Sequence, residues 1–508
     1  MNETDRLGII DIGSNSIRLV IFECNSQGSY RVIDEVKESA RLSERVTEDG
    51  ELPKDVISFV SATLLHFRML CEAAGTSKIR AIATAAIRNA KHSDQIVEQL
   101  QLATSLNIEI LSGEQEAYLG FLGMINTIDV QDGFLIDIGG GSTELTLFLN
   151  RTIVHSFSFP MGSVQLTKKY GQGGEITEEK QKSIQRMIEQ TARKFDWIHQ
   201  HPGLPLIGVG GTVRSLCNID QKSKQYSLPM THNYQMTATD IDQILARIQS
   251  VPVGERKSIE GLAKQRSDII VPGTIILQTL FRCCNSSHYV ISGSGIRDGL
   301  YHTELSREQL SSADILSSSI LNLLHQHPIV PVPHVNQVNR FALQLFDVLQ
   351  QQQSHGQANR SRQLIDAASM LYRIGISIMF YNFRKHTFYL IAHSQLSGLT
   401  HREIVLCATI ASYKNKKSAR LILNTYSDIV SKEDLSLVCK LGTLLQLAIA
   451  LDRSETQPIQ LLKASVHRKE LQLFAEASSS AIIEARQVSQ VADEFQKEWK
   501  LTPTLAFP

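Results

Sequence analysis

The 508 residues include 42% hydrophobic and 20% charged side chains, the composition of an ordinary water-soluble globular protein. Because 51 Lys and Arg residues balance 51 Asp and Glu residues, the net charge is zero, and a polyanionic ligand would need a local basic groove. The polar N-terminus and the lack of an apolar stretch long enough to span a bilayer argue against secretion and membrane insertion. Seven scattered cysteines without a CxxC pair favour a cytoplasmic protein with reduced thiols.

In the first part of the chain, strand and helix patterns alternate. Strands are predicted at 7–10, 17–23, 30–34, 79–83 and 108–111, and helices at 53–74, 93–104 and 113–125. A second series has strands at 133–137, 144–149, 153–159, 206–209 and 288–292, and helices at 177–200, 238–250 and 270–284. This alternation predicts α/β domains whose sheets are covered by helices.

After about residue 305 the strand patterns nearly vanish. Helices are predicted at 313–326, 334–353, 361–379, 402–413, 417–425, 432–451 and 479–500, with one hairpin at 465–476. This region is therefore expected to form a separate, mainly helical domain, and the chain length suits about three domains in total.

A similar nine-residue motif, called here the repeated phrase, occurs once in each of the two α/β series. Residues 11–19 read DIGSNSIRL and residues 137–145 read DIGGGSTEL, each between two short apolar runs. The pattern predicts a strand that ends in Asp11 or Asp137, a tight turn of small residues, and a second strand. Small residues let backbone N–H groups approach a ligand closely. Two such turns facing each other would form a phosphate-binding cleft in which the two aspartates could hold a metal ion.

The two copies differ in charge after the turn, because Arg18 in the first corresponds to Glu144 in the second. An arginine at this position would bind phosphate. A glutamate would help to hold a metal ion or a water molecule. An exposed strand residue without a special role is the alternative at both positions.

A further carboxylate candidate lies in IEILSGEQEA at 108–117, where a strand pattern runs into a helix pattern. Ser112 can cap this helix, and Gln115 would complete a capping box. A glutamate here could be the base that deprotonates an attacking water molecule. The spacing alone does not choose between Glu114 and Glu116, and both could merely complement the helix dipole.

Three other segments carry residue types that bind phosphate, although a simple packing turn is an equal alternative for the first of them. They are LIGVGGTVRS at 206–215, VISGSGIRDG at 290–299 and ATAAIRNA at 83–90. Their candidate residues are Gly208, Gly210, Gly211, Thr212, Arg214, Gly293, Gly295, Arg297, Thr84 and Arg88. No Ser-His-Asp trio, zinc-type spacing or Walker loop is apparent in the sequence, so the available chemistry is positioning, charge and a carboxylate.

In this order and spacing, DIGSNSIRL, LSGEQEA, DIGGGSTEL, the GxGGT turn and SGSGIRDGL resemble the motifs of the exopolyphosphatase/guanosine pentaphosphate phosphohydrolase (Ppx/GppA) family. The resemblance is strong over residues 5–305. It implies an α/β fold of two duplicated ribonuclease-H-like domains of the actin and sugar kinase superfamily, at 1–125 and 126–305. A mainly α-helical, degenerate HD-like domain would follow at 306–508.

The resemblance implies processive hydrolysis of the terminal phosphoanhydride of inorganic polyphosphate, with Mg²⁺ and release of orthophosphate. It places the general base on Glu116 and metal binding around Asp137 and Glu144, with Asp11 as a third candidate ligand. The implied phosphate-binding residues are Ser14, Asn15, Arg88, Gly139, Gly140, Gly141 and Ser142. They stand beside the glycine-turn candidates Gly210, Gly211 and Thr212.

Other functions stay open at this point. Guanosine pentaphosphate (pppGpp) ends in the same anhydride, so a pppGpp 5′-phosphohydrolase would use the same residues. A kinase that transfers phosphate from ATP to an alcohol is a further alternative. So is a non-enzymatic sensor of polyphosphate or nucleotides. A nucleic-acid partner is not expected.

The helical region lacks the central pair of a working HD metal site. Tyr372 and Arg373 stand where the His-Asp pair would fall, whereas His334 and Asp452 match the outer ligand positions. A second hydrolytic centre is therefore not expected, and the domain would guide the polymer or form a homodimer interface. A solvated helical face is an equal alternative for the basic residues that could form a track, Lys385, Lys414, Lys416, Lys417 and Arg420.

Overall fold

A computed structural model of the chain describes residues 5–25, 29–47, 49–171, 175–304, 312–351, 358–477 and 480–507. The chain divides into two compact units, Met1–Ile315 and Leu316–Pro508. The first unit contains two mixed α/β lobes and the second is mainly helical, so the predicted fold class is confirmed. The expected boundary at 305–306 lies outside the described residues.

The first lobe is built on a five-stranded sheet in the order β3-β2-β1-β4-β5. Its strands are β1 (Asp5–Ile12), β2 (Ser16–Cys24), β3 (Tyr30–Ser39), β4 (Lys78–Ala83) and β5 (Ile108–Ile110). The helices of this stretch are α1 (Leu42–Arg45), α2 (Lys54–Ala73), α3 (Ala85–Arg88), α4 (Ser93–Thr104) and α5 (Gly113–Ile125). The first three strands form an antiparallel meander, and β4 and β5 extend the sheet in parallel from β1.

The second lobe repeats this topology. Its strands are β6 (Gly133–Ile138), β7 (Thr143–Leu149), β8 (Thr152–Phe159), β9 (Leu206–Val209), β10 (Tyr234–Met236) and β11 (Tyr289–Ile291). Its sheet order is β10-β11-β9-β6-β7-β8, so β8-β7-β6-β9-β11 matches the order of the first sheet, with β10 as an extra edge strand. The repeated phrase therefore marks the same β-hairpin, at the centre of each sheet, in two copies of one fold.

The helices after β8 are α6 (Ser163–Tyr170), α7 (Glu178–Ala192), α8 (Gly210–Ser223), α9 (Ala238–Ser250), α10 (Ile270–Cys283) and α11 (Ile296–Glu304). Helix α11 returns to the first lobe, where Leu300 and Tyr301 share a buried cluster with Ile9 of β1. A Cβ atom on Gly299 would lie 2.0 Å from the carbonyl oxygen of Leu119, so α11 needs glycine where it crosses α5. This crossing fixes the start of α11 beside the first sheet.

Helix α2 corrects the expectation that no stretch could span a bilayer. Within the described residues, α2 is one helix that is long and apolar enough to cross a membrane, judged by length and composition only. Its residues Val56, Val60, Leu64 and Phe67 nevertheless belong to the buried core of the first lobe. Their spacing of three or four residues is that of an amphipathic helix with one face against a core.

Within the described residues, eight helices lie wholly or mostly in the second unit, together with a three-stranded sheet in the order β12-β13-β14. The helices are α12 (Ser312–His325), α13 (Val332–Gln350), α14 (Ala358–Leu371), α15 (Phe383–His393), α16 (His401–Ala411), α17 (Lys416–Thr425), α18 (Asp434–Ala450) and α19 (Ile482–Trp499). The strands are β12 (Ile459–His467), β13 (Glu470–Ala477) and β14 (Thr502–Ala506). The predicted hairpin at 465–476 is part of β12 and β13.

Several elements differ from the sequence-based expectation. Helices α6, α11 and α15 and strands β10 and β14 were not predicted. The helix expected at 361–379 ends at Leu371, and a 3-10 turn follows at Ile374–Ser377. A Cβ atom on Gly375 would lie 2.1 Å from the carbonyl oxygen of Phe383, so the chain bends here to pack closely on the start of α15. All seven cysteines are free and six are buried, as expected for reduced thiols.

Candidate active site

The two repeated turns line one cavity in the first unit and touch each other. A Cβ atom on Gly140 would lie 2.9 Å from the Cβ atom of Ser14, so the second turn requires glycine to approach the first. The turn residues that line the cavity are Gly13, Ser14, Asn15, Ser16, Gly139, Gly140 and Ser142. Gly141 does not line it, and a Cβ atom there would lie 3.3 Å from the hydroxyl oxygen of Ser43 and 3.5 Å from that of Ser14. The turns thus face each other, as the repeated phrase predicts.

The same backbone hydrogen bond closes both turns. The Gly13 N–H donates to the Ser16 carbonyl at 3.2 Å, and the Gly139 N–H donates to the Ser142 carbonyl at 3.0 Å. Among the residues that the structure describes, the buried Oδ1 atom of Asn15 has no hydrogen-bond partner. Because an unpaired buried polar atom is costly, this side-chain amide is suited to contact a polar ligand.

Asp11 and Asp137 lie at equivalent strand ends, and both line the cavity. Burial raises the pKa of Asp11, although the charge of Arg297 opposes the change. Burial also raises the pKa of Asp137 to about 6, against the charge of Arg214. Within the described part of the chain, neither carboxylate has a hydrogen-bond or salt-bridge partner. Two desolvated and unpaired carboxylates are suited to bind a cation.

The cross-strand neighbours of these aspartates carry opposite charges. Asp11 pairs with Arg18 across β1 and β2, and Asp137 pairs with Glu144 across β6 and β7. Arg18 lines the cavity, whereas Glu144 is 3% exposed and lies behind the lining. Burial, together with the nearby carboxylates of Glu116 and Asp137, raises the pKa of Glu144 well above its ordinary value. The hydroxyl group of Ser158 donates to Glu144 at 2.8 Å.

Glu116 lies in the first turn of α5 and reaches the cavity, whereas Glu114 is exposed to solvent. The predicted capping box is present: the Gln115 N–H donates to the Ser112 hydroxyl, and the Ser112 N–H donates to the Gln115 side chain. This cap fixes the helix start and therefore the direction in which Glu116 points. The geometry separates the two glutamates that spacing left open.

Arg88 holds the carboxylate of Glu116. One guanidinium nitrogen, Nη1, donates at 2.8 Å both to Glu116 Oε2 and to the Leu111 carbonyl. Burial raises the pKa of Glu116 to about 7, although the hydrogen bond and charge of Arg88 oppose the change. A carboxylate that titrates near neutral pH is suited to accept a proton from water. Arg88 donates to Glu116 and is not among the residues that line the cavity, so its expected contact with phosphate stays a prediction.

The third glycine turn closes another wall of the cavity through Gly210 and Gly211, at the start of α8. Gly210 has a φ of +87°, and a Cβ atom there would lie 2.7 Å from Asp137 Oδ1, so only glycine fits. Thr212 was expected to contact phosphate, but it is 1% exposed and packs against Gly273 of α10. Its position in the first turn of the helix turns its side chain toward the core.

Five cations form what we call the basic cluster: Arg18, Lys37, Arg214, Arg266 and Arg297. The four arginines line the cavity, and Lys37 is the cross-strand neighbour of Arg18 in β3. Burial and the neighbouring positive charges lower the pKa of Arg18 and of Arg266 to about 10. The same causes lower the pKa of Lys37 to about 8. A cluster of five positive charges is suited to bind a polyanion.

Sequence reasoning missed Arg266 and Lys37, which lie outside any glycine turn. Arg266 lies close beneath the third turn, where a Cβ atom on Gly211 would lie 2.0 Å from its Nη2 atom. No local signal marks Arg266. The alternation of β3 could have placed Lys37 beside Arg18, but only with the strand register known.

The carboxylates fit Mg²⁺ through a partly open coordination sphere. Within the described residues, no group of three or more His, Cys, Asp and Glu side chains is gathered around one metal position. Mg²⁺ is usually held by one or two carboxylates together with water and substrate phosphates. Asp11 and Asp137 supply such a pair, whereas Glu144 lies behind the lining and is better placed to support it.

The second unit has a closed hydrogen-bonded group where an HD site would bind metal. His334 Nδ1 and Asp452 Oδ2 are 2.7 Å apart and both residues are buried. The other ring nitrogen of His334 contacts the hydroxyl group of Tyr372. Arg373 forms a salt bridge with Glu455 at 2.6 Å. Within the described residues, the hydroxyl group of Tyr372 therefore occupies the ring nitrogen with which His334 would bind a metal ion.

Two family models match the chain. The Ppx/GppA phosphatase family model matches residues 20–308, more than half of the 508 residues. The model for Ppx/GppA phosphatase, domain III, matches residues 315–499. These matches confirm the resemblance seen in the motifs. They also confirm the prediction of a hydrolase that acts on phosphorus-containing acid anhydrides.

Solved structures share the fold over about three-fifths of the chain. The Ppx/GppA family member of Aquifex aeolicus is 26% identical, and the match covers 61% of this chain and 100% of that one with a TM-score of 0.53. An exopolyphosphatase from Cytophaga hutchinsonii is 20% identical over 60% of this chain and 100% of its own, with a TM-score of 0.55. At 20% identity, the match to the Cytophaga hutchinsonii protein shows a shared fold alone.

Proposed function

Because the chain belongs to the Ppx/GppA phosphatase family, we propose that it is an exopolyphosphatase that releases orthophosphate from the end of inorganic polyphosphate. The observation that carries this proposal is the composition of one cavity. Two glycine-rich turns, Glu116 and the four arginines of the basic cluster line the same space. Such a site can hold an anionic chain end and activate water beside it.

In the proposed reaction, backbone N–H groups of the two facing turns and the arginines bind the terminal phosphate groups. Glu116 accepts a proton from a water molecule while the water oxygen attacks the terminal phosphorus atom. The bond from that phosphorus to the bridging oxygen breaks, so orthophosphate and a chain one unit shorter are formed. Mg²⁺ bound by Asp11 and Asp137 would neutralise charge on the phosphate oxygens. Glu144, the cross-strand neighbour of Asp137, would support this pair of aspartates from behind the lining.

Two features support polyphosphate over pppGpp. The lining contains four arginines, and none of the described residues that line it is aromatic. A guanine base is usually held by stacking on a flat side chain in addition to hydrogen bonds, whereas a polyphosphate chain needs only positive charge and N–H donors. The Cytophaga hutchinsonii protein is called an exopolyphosphatase, and its shared fold is compatible with this activity.

The deciding experiment compares phosphate release from long-chain polyphosphate and from pppGpp with Mg²⁺. We expect the larger kcat/KM for polyphosphate. A larger value for pppGpp would make the second candidate, a pppGpp 5′-phosphohydrolase, the correct one. Tight binding of polyphosphate without release would support the sensor. Production of ADP from ATP with an alcohol acceptor would support the kinase.

We also propose a cytoplasmic homodimer in which the second unit guides the polymer or forms the subunit contact. The closed group around His334 supports a role for this unit other than metal-dependent hydrolysis. Light scattering behind size-exclusion chromatography measures the assembly state, and a monomer at all concentrations would contradict the dimer.

A further inference from the structure

One acidic side chain lies inside the basic cluster without a place in the proposed reaction. Glu35 is in β3, opposite Val20, and so on the same face as Lys37 and Arg18. Its Oε1 atom lies 2.8 Å from Nη1 of Arg297 and 3.7 Å from Nη1 of Arg18. One carboxylate oxygen is therefore shared by two arginines that line the cavity.

The three side chains differ in their access to solvent. The side chain of Glu35 is 50% exposed, whereas those of Arg18 and Arg297 are 15% and 16% exposed. The arginines are thus fixed in the wall, and the glutamate reaches over them from the solvent side. Burial acts to raise the pKa of Glu35, but the hydrogen bond and charge of Arg297 hold it below the ordinary value. The carboxylate is consequently ionised at neutral pH.

A carboxylate between two guanidinium groups takes the place that a phosphate group would take. Both anions accept forked hydrogen bonds from arginine. A single phosphate must replace the hydrogen bond with Arg297 and the ion pair with Arg18 that a tethered side chain already makes, and therefore gains little. A polyphosphate chain makes further contacts with the remaining cations of the cluster and can displace the carboxylate.

We propose that Glu35 is a tethered counter-anion that occupies the phosphate position between Arg18 and Arg297 until a polyphosphate chain displaces it. This proposal rests on the proposed function for the identity of the polyanion. Glu35 would be a specificity-determining residue, because it weakens the binding of isolated phosphate, including the product, at these two arginines. Its removal should strengthen the binding of phosphate-containing anions, whereas the removal of any cation of the cluster should weaken it.

The test uses the full chain with Glu35→Gln, which removes the charge and keeps the shape. Glu38→Gln is the matched control, because Glu38 is exposed on the opposite face of the same strand, paired with Ile17. Equilibrium dialysis with long-chain polyphosphate in EDTA measures binding without turnover. We expect E35Q to bind about three- to fivefold more tightly than the wild type and E38Q to be unchanged. Glu35→Thr, which suits a strand, should behave as E35Q if the glutamine variant does not fold.

Kinetics give a second readout that a purely structural role would not move. With Mg²⁺, E35Q should lower KM for polyphosphate and the inhibition constant of orthophosphate while kcat stays within about twofold. The fall of kcat/KM with salt should become steeper, because the two arginines are no longer partly neutralised before the chain binds.

Unchanged or weaker polyphosphate binding by E35Q would overturn the proposal and leave Glu35 as a residue that positions Arg297. Stronger binding by E38Q to the same degree would also overturn it, because net charge alone would then explain the effect. The binding arm keeps this test separate from the proposed function. A wild type that releases no phosphate, with E35Q still binding more tightly, would refute the exopolyphosphatase and leave the counter-anion in place.

Discussion

The two central hairpins of the first unit have the same backbone and opposite chemistry. In both, a strand ends in an aspartate, a turn is closed by the same N–H to carbonyl bond, and a second strand returns. Across from the aspartate stands Arg18 in the first hairpin and Glu144 in the second. The shared backbone supplies, in both copies, a turn whose N–H groups are suited to bind phosphate. The cross-strand residue then gives each copy its own task.

The surroundings extend this difference. Lys37 is the cross-strand neighbour of Arg18, and burial together with the charge of Arg214 lowers the pKa of both. Burial and the neighbouring carboxylates of Glu116 and Asp137 instead raise the pKa of Glu144. One side of the cavity is therefore basic and suited to bind the substrate, and the other is acidic and suited to hold a cation and accept a proton.

The largest expected effect is on the acidic side, at Glu116. Glu116→Gln should lower kcat for phosphate release by about 10²–10⁴-fold, because the amide cannot accept the proton of the attacking water. The measurement is steady-state phosphate release from polyphosphate. Glu114→Gln, two residues earlier and exposed, should remain fully active. A fully active E116Q would place the base elsewhere.

Substitutions of the two cross-strand residues, Arg18 and Glu144, should change different kinetic constants. Arg18→Gln should raise KM by about tenfold or more through loss of charged hydrogen bonds, with a smaller change in kcat. Glu144→Gln should lower kcat by about tenfold or more and change KM less. Equal changes of KM in both variants would mean that the two hairpins share one task.

The pH dependence should report the acidic side. Because burial raises the pKa of Glu116 to about 7, the base is protonated below this pH and ionised above it. We expect kcat/KM to fall about tenfold per unit as pH decreases below 7, and to level off above it. A profile that is flat from pH 5 to 8 would argue against Glu116 as the base.

The last expected effect is on stability, at Asp137. Its folded-state pKa is raised to about 6 from an ordinary value of 3.8, so its contribution to stability is present below the ordinary value and is lost as pH rises through 6. In EDTA at pH 8, Asp137→Asn should therefore raise the unfolding free energy by up to about 3 kcal/mol. Thermal unfolding measures this gain, which should vanish near pH 3.5. An equal gain at both pH values would mean that charge is not the cause.

Much of the site could be predicted because its signals are local. The phrases at 11–19 and 137–145 carry strand, turn and strand in nine consecutive residues each, and the capping box of Ser112 and Gln115 is contained within four. These features depend on backbone conformation and on hydrogen bonds between near neighbours. The family could be assigned for the same reason, because the order of such motifs is visible in one dimension.

What the sequence could not predict depends on register and packing between distant elements. The direction of α5 decides that Glu116, and not Glu114, reaches the cavity. The packing of α8 on α10 places the side chain of Thr212 in the core. Arg88 donates to Glu116, 28 residues away in the sequence, a contact that no local pattern predicts.

The sequence by itself determined a duplicated α/β fold with two phosphate-type turns and a helical region after them, because periodicity and turn chemistry act over a few residues. Only the tertiary structure decided that Arg266 lines the cavity, that Lys37 and Glu35 lie beside its arginines, and that one glutamate of two faces it. Charges act through space, and their neighbours are set by strand pairing and helix crossing rather than by position in the chain.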